Sequence, residues 1–158
     1  MSDTTIKQVL GRRVWDSRGR PTVEAEVHLT GGAIGRAIAP AGASTGSGEA
    51  LDLRDGGEKL GGFDVRTAVD NVNIQIADAL AGMDATDQTL VDQSLIALDG
   101  TPNKRVLGGN ASIAASMAVL QAAAAAHNMP LWRYLARKNE ITMQLPEIQI
   151  FGGGAHAG

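Results

Sequence analysis

The sequence contains no cysteine, which excludes disulfides, thiolate nucleophiles and cysteine-ligated zinc and fits a reducing compartment. Aromatic residues are scarce at 3%, so any core must be built from Ala, Val, Leu and Ile. There is no excess of positive charge: the formal net charge is -3, and no basic face is expected to attract nucleic acid or anionic lipid. The opening MSDTTIKQVLGRR lacks the apolar run and cleavage site of a secretory signal. The longest stretch of small apolar residues, Ala122 to Ala126, is too short and too alanine-rich for a bilayer span. These absences predict a soluble, cytoplasmic protein with no membrane span and no nucleic-acid partner. Neither a repeat of fixed period nor a low-complexity linker is present.

What is there suffices for one domain with a proper core, since the chain has 158 residues, 44% of them hydrophobic. Its 20 glycines cluster between residues 31 and 62, at 108–109 and at 152–158, marking sharp turns or close backbone approaches. Residues 5–30 read as extended: Val23-Glu24-Ala25-Glu26-Val27-His28-Leu29 alternates strictly, and Asp16-Ser17-Arg18-Gly19-Arg20-Pro21 is a run of turn formers. Thr30-Gly31-Gly32 predicts a hairpin into a third strand, Ala33 to Ala39, ended by Pro40. The result is a three-stranded antiparallel meander with one packed face and one polar face.

From residue 64 the period becomes helical. Asp64 is the expected N-cap of a helix with Val65, Val69, Val72, Ile76 and Leu80 inward, stopped by Gly82. A second helix is predicted over Asp87 to Leu98, with Leu90, Val91, Leu95 and Leu98 inward. A third, capped by Asn110, runs from Ala111 to about His127, and a fourth from Leu131 to Lys138 behind Pro130. Strands followed by helices specify an α+β fold, a meander and then a four-helix bundle. Gln144 to Phe151 reads as mainly extended and leads into Gly152-Gly153-Gly154-Ala155-His156-Ala157-Gly158.

Several places could carry chemistry. The loop from Pro40 to Ala50 combines glycines with Ser44, Thr45 and Ser47, whose hydroxyl and carbonyl oxygens are hard donors suited to magnesium. It is not a P-loop, because Gly-Lys-Ser/Thr is missing, and by composition alone it is an ordinary surface connection. His156 could meet a substrate or a metal, although alone it is an ordinary terminal histidine. Asp16, Arg18, Glu24 and Glu26 form a polar cluster in which Glu24 and Glu26 share one strand face, which by itself reads as solvated. Gly108-Gly109-Asn110 could attract an anion at a helix start, but a plain cap is the simpler reading.

Taken in order, these segments resemble one family, the enolases. The resemblance rests on Asp16-Ser17-Arg18-Gly19-Arg20-Pro21-Thr22-Val23-Glu24, Pro40 through Gly46, and Glu49-Ala50-Leu51-Asp52-Leu53-Arg54-Asp55-Gly56. It continues through Leu98-Asp99-Gly100-Thr101-Pro102-Asn103-Lys104, Leu107-Gly108-Gly109-Asn110-Ala111, Pro130-Leu131-Trp132-Arg133-Tyr134-Leu135 and Gly153-Gly154-Ala155-His156-Ala157. It implies a lyase that dehydrates 2-phosphoglycerate to phosphoenolpyruvate in glycolysis with Mg2+, and a dimeric or larger homo-oligomer. Ser44 resembles the loop serine that ligates magnesium, and Ala43, Ser44 and His156 match positions against the substrate. Gly42, Ala43, Thr45 and Gly46 supply the mobility of a loop that closes over it, and Arg12 and Glu24 match positions of intersubunit ion pairs.

The chain departs from the family pattern at Arg20, Ala41, Gln149 and Gly152, which leaves open a divergent enolase-like enzyme with another acid substrate. The resemblance divides the chain into an N-terminal domain, residues 1–140, and the first strand and loop of an α/β barrel, residues 141–158. A complete barrel takes about 200–250 residues. The lysine base, the acid catalyst and the acidic metal ligands are then expected beyond Gly158, and the chain is expected to be a truncated enolase, inactive alone. A stand-alone, non-catalytic interaction module is the third reading.

Overall fold

A computed structural model describes residues 2–42, 46–136, 139–148 and 150. Strands β1 (Ile6–Trp15), β2 (Pro21–Leu29) and β3 (Ile34–Ala39) form an antiparallel sheet in the order β1-β2-β3. The expected meander is therefore present. Asp16 builds the first turn by accepting the N–H groups of Arg18 and Arg20, each at 2.8 Å, while Gly19 takes the left-handed backbone such a turn needs (φ +70). Register places Ala25 opposite Gly11 and Ala37, and Glu24 opposite Arg12 and Ile38. Alternation then sends Val23, Ala25, Val27 and Leu29 into the core, all at most 2% exposed.

Helices cover that inner face. The first predicted helix exists but in three pieces: α1 (Arg66–Asn71), a π-helical turn (Val72–Ile76) and α2 (Ala77–Leu80). The other helices are α3 (Gln88–Asp99), α4 (Gly109–Ala126) and α5 (Leu131–Ala136). α4 lies across β2 and β3, and its buried positions are chiefly alanines. Their small size lets two backbones meet, which is the packing reason for an alanine-rich helix in a core with few aromatics. α4 is also the one described helix long and apolar enough to cross a membrane, but 61% of it is buried within the fold.

The wider π turn docks against β1 at Gly11, where a Cβ would lie 2.7 Å from the Val72 Cβ. The Asn73 amide accepts the Gly11 N–H at 2.8 Å and donates to the Gly11 carbonyl at 3.0 Å. It pairs with the free edge of β1 much as a neighbouring strand would, which blunts an edge that could otherwise recruit another chain.

Three expectations are corrected. Asp64 does not cap α1; Asp55 does, accepting Arg66 N–H at 2.7 Å and Thr67 N–H at 3.0 Å from a distant loop. Asn110 lies inside α4, whose N-cap is Gly108, and its amide instead binds both the N–H and the carbonyl of Leu53. Leu90 points outward, 49% exposed, although Val91 and Leu95 are buried as expected; Asp87, expected to open α3, instead caps it by accepting the Leu90 N–H.

Asp64 is used elsewhere. Its carboxylate accepts from Arg13 at 2.8 Å and faces Lys59 at 3.4 Å, and its side chain is 2% exposed. The Arg13 hydrogen bond, aided by the Val65 N–H and Lys59, outweighs burial and holds its pKa at about 2, against the ordinary 3.8. On β2, Glu26 is likewise held at about 2 instead of 4.5, first by its hydrogen bond from His28, with burial opposing and Arg36 and Arg12 adding to it. Both folded-state values lie below the unfolded ones, so the stabilisation is complete above pH 4.5 and is lost as pH falls toward about 2. The midpoint of thermal unfolding, followed by circular dichroism, should drop across that interval. Asp64→Asn should lower the midpoint at neutral pH and flatten the acid dependence; equal slopes for variant and parent would refute the assignment.

Candidate functional site

Beyond β3 the chain turns at Pro40 and runs along the start of α4, and an open cleft of about 810 Å³ lies there. Its walls are Ile38 to Gly42 on one side, Gly46 and Glu49 to Asp52 on another, and Asn103 with Gly109, Asn110, Ile113 and Met117 at the helix. Backbone bonds build the far wall: Leu51 donates to the Asn103 carbonyl and accepts from Gly109 N–H, both at 2.7 Å. Close approach is possible because Gly109 has no side chain; a Cβ there would lie 2.8 Å from that of Ala50.

The described lining carries the carboxylates Glu49 and Asp52 and no basic side chain. Asp52 Oδ2 accepts from Arg54 Nε at 2.6 Å, while Oδ1 is buried without a hydrogen-bond partner among the described residues. Arg54 in turn donates to the carbonyls of Phe63, at 2.8 Å, and Pro21, tying the cleft wall to the start of β2. Such a lining favours cations and neutral groups over a lone anion; binding a phosphorylated acid requires positive charge from elsewhere.

Of the residues singled out in the loop, Gly42 and Gly46 line this cleft. Gly46 donates its N–H to Glu49 Oε1 at 2.7 Å and accepts the Glu49 N–H at 3.2 Å. Ala43, Ser44 and Thr45, together with Gln149, Gly152 and His156, lie outside the described residues. Arg12 and Glu24 do not line the cleft: they pair with each other across β1 and β2 at 2.8 Å, on the sheet face that leaves Ile34 and the cleft-wall residue Ile38 about half exposed (46% and 49%). Arg12 also reaches Glu26 at 3.1 Å, and that hydrogen bond first raises its pKa. The polar face is thus a paired network rather than separate solvated charges.

The family model described as enolase, N-terminal domain, matches residues 6–135, most of the chain. This chain belongs to the enolase N-terminal domain family. The three-stranded sheet followed by helices is the α+β arrangement expected of an enolase N-terminal domain, and the match ends at the last described helix. Residues 140–148 of this enolase-family chain carry no regular secondary structure and are exposed.

Sequence reasoning missed two residues of this enolase domain. In the sequence Arg18 is one of a polar cluster, yet it reaches the Ala41 carbonyl at the cleft rim. Glu49 stands in the sequence only as part of a motif; its spacing from Gly46, with Ser47 and Gly48 between, is the turn signal for the bonds that join the two.

Proposed function

We propose that this chain is the N-terminal part of an enolase that dehydrates 2-phosphoglycerate to phosphoenolpyruvate with magnesium in the cytoplasm. The observation that carries the reading is the family match over residues 6–135, with the glycine-rich segment of the resemblance leading out of β3 into the rim of the cleft. In this reading residues 1–140 are the domain and residues 141–158 begin the barrel, which supplies the base, the acid catalyst and most metal ligands. Bound magnesium supplies positive charge that the acidic lining lacks.

Among the described residues no three His, Asp or Glu side chains are placed to hold a metal ion, so the described donors do not by themselves fit magnesium. Ser44 is the ligand the reading assigns to this chain. The domain's own work is positional: Ala43, Ser44 and His156 contact the substrate, and Gly42, Thr45 and Gly46 let the segment cover it and exclude water. Arg12 and Glu24 belong, in the same reading, to a face between two subunits.

The test is direct. The complete protein carrying this domain should form phosphoenolpyruvate from 2-phosphoglycerate and stop when magnesium is chelated, while the 158-residue chain alone should show no turnover. Turnover by the chain alone would overturn the assignment of catalytic groups to the barrel. A complete protein inert to 2-phosphoglycerate but active on another acid would identify a divergent enzyme.

A further inference from the structure

The first hairpin turn reaches the rim of the cleft. Asp16, whose side chain is 2% exposed, uses Oδ1 for the Arg18 and Arg20 N–H groups and turns Oδ2 toward Arg18 Nε at 3.6 Å. Oδ2 has no hydrogen bond of its own among the described residues, so it acts on Arg18 by charge and orientation. Arg18 Nη2 then donates to the carbonyl of Ala41, where the chain enters the cleft. On the other side Glu49 holds Gly46 by both its carboxylate and its N–H. The rim is thereby fastened at Ala41 from the turn and at Gly46 from Glu49.

From this geometry we infer that Arg18 is a positioning residue for the reaction, acting through the Ala41 carbonyl, with Asp16 orienting it and Glu49 as its counterpart at Gly46. The inference rests on the functional reading for its catalytic consequence but not for its structural one. A guanidinium suits the task because it presents several donors in a rigid plane and can answer a carboxylate and a carbonyl together; an ammonium is a single point of charge. Losing Arg18 should leave the sheet intact, because the turn itself is held by Asp16 and backbone bonds.

Two measurements separate the layers. In the isotopically labelled chain, Arg18→Gln should shift the Gly42 and Gly46 amide resonances, with β1 and β2 amides unchanged. Arg18→Lys should restore part of the effect. In the complete enzyme, Arg18→Gln should lower kcat about tenfold with KM within about twofold, as expected when positioning rather than binding is lost. Glu49→Ala should loosen Gly46 in the same way, which keeps the test open if the arginine variant fails to fold. Rim amides that match the parent in a folded Arg18→Gln chain, or an unchanged kcat, would overturn the inference. A parent inert to 2-phosphoglycerate would overturn the functional reading alone, and the amide result would still decide the clamp.

Discussion

Gly35→Ala is expected to be the most damaging single substitution in the domain. A Cβ at residue 35 would lie 2.2 Å from the Ala118 carbonyl oxygen and 2.2 Å from the Ala122 nitrogen, with the Ala122 Cα at 2.8 Å. These are backbone atoms of α4, so no rotamer change relieves the overlap. Either the helix moves away from β3 or the strand bends, and both would open the layer in which Ala118, Ala122, Val23 and Val27 are fully buried. Overpacking costs about 1–3 kcal/mol when side chains can yield, and here they cannot, so about 3 kcal/mol or more is expected. A domain of this size has about 5–15 kcal/mol in hand, so the variant should show a large fall in the urea midpoint. Ala118→Gly, which leaves the helix backbone where it is, should not rescue it. A Gly35→Ala chain with the parent's midpoint would mean that α4 stands further from β3 than described.

That contact shows where local reading ends. The meander was legible because the period-two run through Val23 and Leu29 and the turn formers around Gly19 act within a few residues. α3 was legible for the same reason, with Asp87 before it and Gly100 in the left-handed region (φ +66) after it. Caps contributed from a distance were not. Asp64 stands immediately before a helical period, as a cap should, yet Arg13 captures it and Asp55, from another loop, takes its place. Asn110 was misread in the same manner, because the peptide of Leu53 that it binds is 57 residues away. In the candidate site, glycine content marked the loop, but the bond from Arg18 to Ala41 spans 23 residues and leaves no spacing to detect.

The second large effect is expected at Asp99, which is 4% exposed at the end of α3. Its Oδ1 accepts the Thr101 N–H at 3.0 Å and the Thr101 hydroxyl; its Oδ2 accepts the N–H groups of Val106, at 3.1 Å, and Leu107, at 2.7 Å. Burial pushes the carboxyl's pKa up, but these donors from Thr101, Leu107 and Val106 more than reverse it, and the group is held below its usual value. Every hydrogen-bond partner of the Asp99 carboxylate among the described residues is thus a donor, and only a carboxylate answers all of them. Asp99→Ala strands three N–H groups, two of them beside the fully buried Leu107. Hydrogen bonds to a charged group contribute about 1.5–3 kcal/mol each, and water can rescue the half-buried Thr101 side, so a net loss of about 3–4 kcal/mol is expected. Asp99→Asn should be nearly as harmful, at about 2–3 kcal/mol, because in either orientation its NH2 meets another donor. The damage should also reach the cleft, since the same loop carries Asn103, whose carbonyl holds Leu51. Chemical denaturation of the two variants decides the point: an Asp99→Asn chain as stable as the parent would show that shape, not charge, organises this loop.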